Sequence, residues 1–360
     1  MNSSLSQASQ PFVAAQGSAA TVRSSAASIA TIQDLLCCPV DGSPLTWDPV
    51  AERLVGQGNC HSYGLESGIP TLFTPNHWPE GKTDVTEIVK GFYEETPFPN
   101  YDGLDSRDNL RNKARAGVFA RMLDEQIPHN FKILEVGCGT GQMTNFLGMG
   151  WNRTAVGADL CMNSLRLAKG FRDKFAINNA QFTQINLFKP PFKPQAFDLV
   201  ISNGVLHHTS DCEGGFRSIS KLVRPGGYII IGLYNWLGRL PTLWRRWAID
   251  RFGEGVTMLD GRLRVKHDKA QWRAWFMDQY KHPHETKHSI DELLQWFDSE
   301  GFDFASCLPT IGDTEFSEDM RLFEPSSPGT YLDRLSTELE LLASGGPDGG
   351  LYIMIARKRQ

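Results

Sequence analysis

From Phe131 onward, apolar residues fall into short runs that alternate between strand-like and helix-like lengths. Ile133-Leu134-Glu135-Val136 reads as a strand, and a glycine-rich turn leads from it into a helix through Met143 to Leu147. Thr154 to Ala158 reads as a second strand and Met162 to Phe171 as the helix after it. Ala180 to Ile185 and Phe197 to Ser202 are the third and fourth strands, Gly215 to Leu222 a helix, and Tyr228 to Leu233 the fifth strand. Further on, a helix is expected from Ile290 to Phe297, a sixth strand near Phe302 to Leu308 and a seventh at Leu351 to Ala356. Such alternation predicts an α/β fold, a parallel sheet with helices on both faces. Upstream, Leu110, Ala114, Val118 and Met122 recur every fourth residue, which predicts one helix stopped by Pro128.

The same pattern divides the chain. Residues 1–33, rich in Ser, Ala and Gln with the single charge of Arg23, read as a disordered tail. Residues 34–75 form a small compact module, 76–129 a linker with the N-terminal helix, and 130–360 the main domain. Two stretches interrupt the strand–helix rhythm, at about 236–287 and 312–350, and read as lid insertions. No repeat is evident.

Composition narrows the classes. A net charge of −5 and a pI near 6.0 argue against a generally basic nucleic-acid binder, although a local patch can still meet RNA. The cysteines are odd in number (Cys37, Cys38, Cys60, Cys138, Cys161, Cys212, Cys307) and scattered, which suits a reducing cytoplasm better than a disulfide framework. No run approaches the roughly 18–20 apolar residues of a transmembrane segment, so a soluble protein is expected.

Candidate chemistry concentrates after the first strand, in Glu135-Val136-Gly137-Cys138-Gly139-Thr140-Gly141. Glycines between a strand and a helix let the chain turn tightly and let a ligand approach without a Cβ in the way. A dinucleotide loop would place its third glycine at 142, which is Gln142; here it stands at Gly141. Asp159, at the end of the second strand, can accept hydrogen bonds from two ribose hydroxyls and fits either kind of nucleoside ligand.

Glu135 to Gly141 resembles motif I of the class I S-adenosylmethionine (SAM)-dependent methyltransferases. Asp198 to His208 and Leu222 to Tyr228 resemble that family's fourth strand with its loop and the turn before its fifth. The resemblance implies a Rossmann-like seven-stranded sheet, SAM as cofactor and an in-line methyl transfer. It implies a cofactor site made of Glu135, Gly137, Cys138, Gly139, Gly141, Asp159, Leu160, Asn186, Leu187 and Asn203. Asn186 stands where the family often has Asp, and its amide oxygen can still accept a hydrogen bond from an adenine amino group. His207 and His208, at the exit of the fourth strand, are the candidate catalytic bases, with packing as the competing reading. The acceptor expected is a small-molecule metabolite methylated on O, N or C, with RNA as the alternative.

Three further expectations concern the periphery. The segment from Leu36 through Cys60 to Pro70 resembles Trm112-like, zinc-ribbon-type modules. Paired zinc ligands would need cysteines at 41 and 63, which hold Asp41 and Tyr63, so a module without metal is expected. His282, His284 and His288 form H-x-H-x3-H, better read as a substrate-facing loop or ordinary surface than as a metal site. The stretch Trp236 to Trp247 is expected to be a lid helix packing its tryptophans inward, with membrane or lipid docking and RNA stacking as rivals.

Overall fold

The computed structural model describes residues 28–360 apart from 60, 80, 82, 100, 102, 261–268, 313–318 and 346. Its centre is a seven-stranded sheet. The strands are β6 (Lys132–Val136), β7 (Thr154–Asp159), β8 (Ala180–Gln184), β9 (Phe197–Asn203), β10 (Val223–Tyr234), β11 (Phe302–Leu308) and β12 (Leu351–Lys358), in the order β11-β12-β10-β9-β6-β7-β8. The five strands β8-β7-β6-β9-β10 run parallel, and β12 inserts antiparallel between β10 and β11. Middle strands are apolar on both faces because helices cover both: Leu199, Val200, Ile201 and Ile229, Ile230, Ile231 are all buried. One core packs α6 (Cys212–Ser220) and α9 (Ile290–Ser299) through Phe216, Leu293 and Phe297. The opposite core takes α3 (Val118–Gln126) and α4 (Gln142–Gly148) through Leu123 and Phe146.

Sheet order reverses between β6 and β9. Their carboxyl ends therefore open a crevice, the place where parallel sheets of this kind bind ligands.

Several expectations change. The single helix expected through Leu110 and Met122 is two, α2 (Arg107–Ala116) and α3, parted at Gly117. Gly117 takes an extended backbone, φ −82° and ψ 119°, and glycine is the residue a helix holds least well. The end of the 1–33 tail is ordered: residues 28–32 are helical, and Ile29 and Ile32 are buried against the main core. Residues 1–27 lie outside those described. Alternating apolar residues at the tail's end were too few to register against its polar composition.

The small module consists of an antiparallel sheet, β1 (Leu45–Asp48), β2 (Arg53–Gly56) and β3 (Ser62–Tyr63), and the pair β4 (Leu65–Glu66) and β5 (Ile69–Pro70). It sits on the edge of the large sheet. Thr71 bridges Gln184 of β8, the Leu72 N–H donates to the Gln184 carbonyl at 2.9 Å, and Leu36 bridges Phe192. Leu36, Leu54 and Leu72 join the same apolar cluster as Val136 and Val200.

The insertions supply α7 (Leu240–Phe252), α8 (Lys269–Tyr280) and α10 (Tyr331–Ala343). The expected inward packing of tryptophans on α7 is overturned: Trp244 is 57% and Trp247 58% exposed. The buried face of α7 is made by Thr242, Ala248 and Ile249. Arg239, at its N-terminus and fully buried, is paired with Glu285 at 2.7 Å. Among the described residues no helix is long and apolar enough to cross a membrane.

Candidate active site

The loop after β6 is held open by three left-handed glycines. Gly137, Gly139 and Gly141 have φ of 75°, 52° and 70°. A Cβ on Gly137 would lie 2.4 Å from Val205, one on Gly139 2.5 Å from the Phe98 carbonyl oxygen, and one on Gly141 2.6 Å from the Phe182 ring. The glycines therefore differ in purpose. Gly137 and Gly139 make room at the crevice, whereas Gly141 lets α4 pack on β8 and does not face the crevice.

Asp159 ties this loop to β7. Its carboxylate accepts the N–H of Gly139 and that of Cys161, each at 2.8 Å. Glu135 accepts the Thr144 hydroxyl. Burial, helped by the nearby Asp159 charge, raises the Glu135 carboxyl to about 7. Burial likewise raises Asp159 and drives the Cys138 thiol well above its ordinary value.

A strap of linker crosses over the loop. It comprises α1 (Thr86–Glu95) and the residues to Tyr101. The Pro99 carbonyl accepts the Thr140 hydroxyl, Glu94 accepts the Met162 N–H at 3.1 Å, and the Tyr101 hydroxyl accepts from Asn145 at 2.8 Å. The aromatic run 92–101 stood out in the sequence, but nothing in it signalled that it closes over residues 139–140.

Beneath the strap lies a cavity of about 530 Å³. Glu135, Gly137, Cys138, Gly139, Asp159, Leu160, Asn186, Leu187 and Asn203 all line it; of the cofactor residues expected, Gly141 does not. Asn186 lines the wall, yet its amide is committed to its surroundings. Nδ2 donates to the Thr74 carbonyl and to Asn76, both at 2.7 Å, and Oδ1 accepts the Phe188 N–H at 3.0 Å. Its evident work is to hold residues 74–76 beside the site.

The histidine pair divides. His207 is fully buried, does not line the cavity, and stacks on Tyr234 with centroids 4.0 Å apart. Its Nδ1 accepts the Tyr234 N–H at 3.3 Å, and burial holds its pKa far below the usual value. Its place does not support the expectation that it is a base, because it is enclosed and absent from the cavity wall. His208 does line the cavity. Its Nδ1 meets the His284 carbonyl at 2.8 Å and so carries the proton. Burial lowers its pKa to about 3, leaving a neutral ring that accepts a hydrogen bond but draws protons weakly.

His282, His284 and His288 do not converge as ligands. His282 stacks on His208 at 3.6 Å, His284 Nε2 meets the Thr209 carbonyl at 3.1 Å, and His288 meets the Thr286 hydroxyl at 2.8 Å. A three-donor group that could hold a metal does occur among the described residues, elsewhere: Cys38, Asp41 and His61 of the small module lie within 4.8 Å of one another. Cys60 lies outside the described residues.

The far half of the cavity was missed in the sequence. Tyr93 donates to Asp278 at 3.0 Å across 185 residues of chain. Gln279 donates to Asp278 at 2.9 Å and to the Tyr234 hydroxyl at 3.0 Å. Phe98 and Trp275 form an aromatic wall, with centroids 5.9 Å apart. Gly117, Phe119 and Ala120 also line it, which the break between α2 and α3 makes possible. Burial raises the Asp278 carboxyl.

Comparison with known proteins fits this arrangement. Residues 127–298 match the family model described as a methyltransferase domain, Methyltransf_31. An uncharacterized protein of Synechococcus sp. is 26% identical over 70% of this chain and 66% of its own length. The probable tRNA methyltransferase 9B of Bos taurus is 32% identical over 36% of this chain and 26% of its own. The polyketide synthase component of the lovastatin nonaketide synthase of Aspergillus terreus is 31% identical over 37% of this chain and 5% of its own. The chain thus spans between 5% and 66% of the length of these relatives.

Proposed function

Over residues 127–298 the chain is a class I SAM-dependent methyltransferase, and from that premise we propose that it methylates a small molecule enclosed between the sheet and the lid. The residues present suit the cofactor. The loop leaves no Cβ over Gly137 and Gly139, Asp159 ends β7 with a buried carboxylate, and Leu160, Ile185 and Leu187 give an apolar wall for a flat ring. When bound, SAM supplies an electrophilic methyl group on a sulfonium. The chain's contribution is to exclude water with the strap and α8 and to hold the acceptor in line, which is worth about 7–11 kcal/mol in well-oriented systems.

The observation that carries this reading is the continuity of the cavity. It runs from the glycine loop to Tyr93, Trp275 and Asp278 under one roof, with a volume in the range of small-ligand pockets. An RNA acceptor would call for cations to meet its phosphates. Among the described residues lining the cavity there is no lysine or arginine.

The test is incubation of the full chain with methyl-labelled SAM and a cell extract, followed by separation of small molecules from RNA and protein. Label in the small-molecule fraction is expected. Label confined to RNA would replace this reading with the alternative.

A further inference from the structure

The charges of the cavity wall are one-sided. Glu135, Asp159, Asp278 and Asp348 line it. Two of these four belong to the donor half: Glu135 lies on β6 beside the loop, and Asp159 holds the loop's Gly139 N–H. Asp278 and Asp348 are left for the acceptor half, Asp278 buried and Asp348 exposed.

Among the described residues, no cation is paired directly with Asp278. Its two oxygens accept from Tyr93 and from Gln279, both uncharged donors. The Arg239 charge acts on it from behind Tyr234, over whose ring it lies at 3.8 Å. Arg239 is already engaged, by Glu285 at 2.7 and 3.2 Å and by the Gln279 side-chain oxygen at 2.8 Å. Arg246 and Lys287 also face Glu285, at 3.4 and 3.8 Å. A carboxyl buried without a directly paired cation carries a cost that a cationic ligand would reduce. The walls beside it point the same way. Tyr93, Phe98 and Trp275 offer aromatic rings, whose faces attract cations within about 6 Å. A carboxylate or phosphate acceptor would enter a poorly hydrated space already lined by acids.

We propose, resting on the reading that this cavity is the acceptor site, that the acceptor is a cation with an apolar body, whose ammonium charge is held by Asp278 and the Tyr93, Phe98 and Trp275 rings and whose methyl-accepting atom is a separate one that carries a lone pair. Tyr93 and Gln279 orient the carboxylate, and the apolar floor of Leu351 and Ile353 accepts the body of the molecule. Asp348 at the exposed rim adds a second charge of the same sign. Bound cation would keep Asp278 ionised where burial alone favours the protonated acid.

The experiment uses the full chain, methyl-labelled SAM and the small-molecule extract, sorted at pH 7 on cation and anion exchangers before assay. The expected result is label in the cation-retained fraction, with Asp278→Asn cutting incorporation at limiting acceptor by about tenfold or more. In the same variant, affinity for S-adenosylhomocysteine, measured by calorimetry, stays within about twofold. Label in the anion-retained or neutral fraction overturns the inference and leaves the small-molecule reading standing. Label in RNA, or in no acceptor, overturns both. Unchanged incorporation in Asp278→Asn, or an equal loss of S-adenosylhomocysteine affinity, removes Asp278 from the acceptor half and overturns the assignment. If Asp278→Asn fails to fold, Tyr93→Phe, which keeps the charge, is used. It should retain the preference for the cation fraction, and its loss without loss of folding would count against the proposal. The identity of the labelled fraction in the unaltered chain decides the ligand class whatever the variants do.

Discussion

The donor and acceptor halves of the cavity are built in different ways. In the donor half, β6, its glycine loop and the end of β7 sit within one stretch of chain, and the Gly139 to Asp159 hydrogen bond spans 20 residues. Backbone groups do most of the work, so the constraint falls on residue type at fixed spacing. In the acceptor half, Tyr93 and Asp278 meet across 185 residues. They come from a strap before the sheet begins and from a helix inserted after β10, and their side chains do the work. The sheet imposes the first half. The second is assembled from additions to the sheet.

Replacing Gly139 should break the donor half with the largest effect. A side chain there meets the Phe98 carbonyl at 2.5 Å and demands a left-handed backbone. Gly139→Val is expected to weaken SAM binding by about 100-fold or more, at a cost in stability of about 1–3 kcal/mol. Calorimetry and thermal melting read the two effects separately. Binding within a few-fold of the unaltered chain would show that the strap can move aside.

Next is the buried ion pair behind the acceptor half. Arg239→Leu strands Glu285, which retains Arg246 and Lys287. A loss of about 3 kcal/mol in denaturant unfolding is expected, near the lower end for a broken buried pair. SAM affinity should be untouched, because neither residue lines the cavity.

Two groups of the cavity wall, Glu135 and His208, should also respond oppositely to pH. Glu135 is raised from 4.5 to about 7, so its contribution to the ligand-free chain is present below pH 4.5 and lost as pH rises through about 7. His208 is lowered from 6.5 to about 3, so its contribution is present above pH 6.5 and lost as pH falls toward 3. Melting temperatures of Glu135→Gln and His208→Asn, each subtracted from the unaltered chain, should show these two slopes. For Glu135 the swing is on the order of 3 kcal/mol. Slopes of the same sign would contradict the assignment of burial as the cause.

The smallest effect concerns α7. Trp244→Ser and Trp247→Ser should change stability by about 0.5 kcal/mol or less and leave methyl transfer intact, since both rings face outward and neither lines the cavity. A large loss of activity would return them to the role of lid.

Much of the fold was legible, and the reason is physical. Alternating apolar runs of strand and helix length need a parallel sheet to bury them, and the strands expected from Ile133 to Ala356 lie in that sheet. Left-handed glycines at 137, 139 and 141 advertise the loop because few other residues tolerate that backbone. Gly117 was legible too, but a fourfold apolar repeat running across it outweighed the break. Residue types at β9's exit named His207 and His208 equally. Only packing separates them, since one ring stacks under Tyr234 and the other turns to the cavity. Trp244 and Trp247 misled because large apolar side chains usually go inward. Here the buried face of α7 belongs to smaller residues and to Arg239 with its partner Glu285. No spacing rule joins Tyr93 to Asp278, so the acceptor half was silent.

The division into two halves is tested most directly by calorimetry of SAM binding to the unaltered chain, to Asp159→Ala and to Trp275→Ala. Asp159 serves the donor loop and Trp275 the acceptor wall. The account predicts that Asp159→Ala loses SAM binding by about 100-fold or more, while Trp275→Ala stays within about threefold of the unaltered chain. Undiminished binding by Asp159→Ala, or equal losses in the two variants, would contradict it.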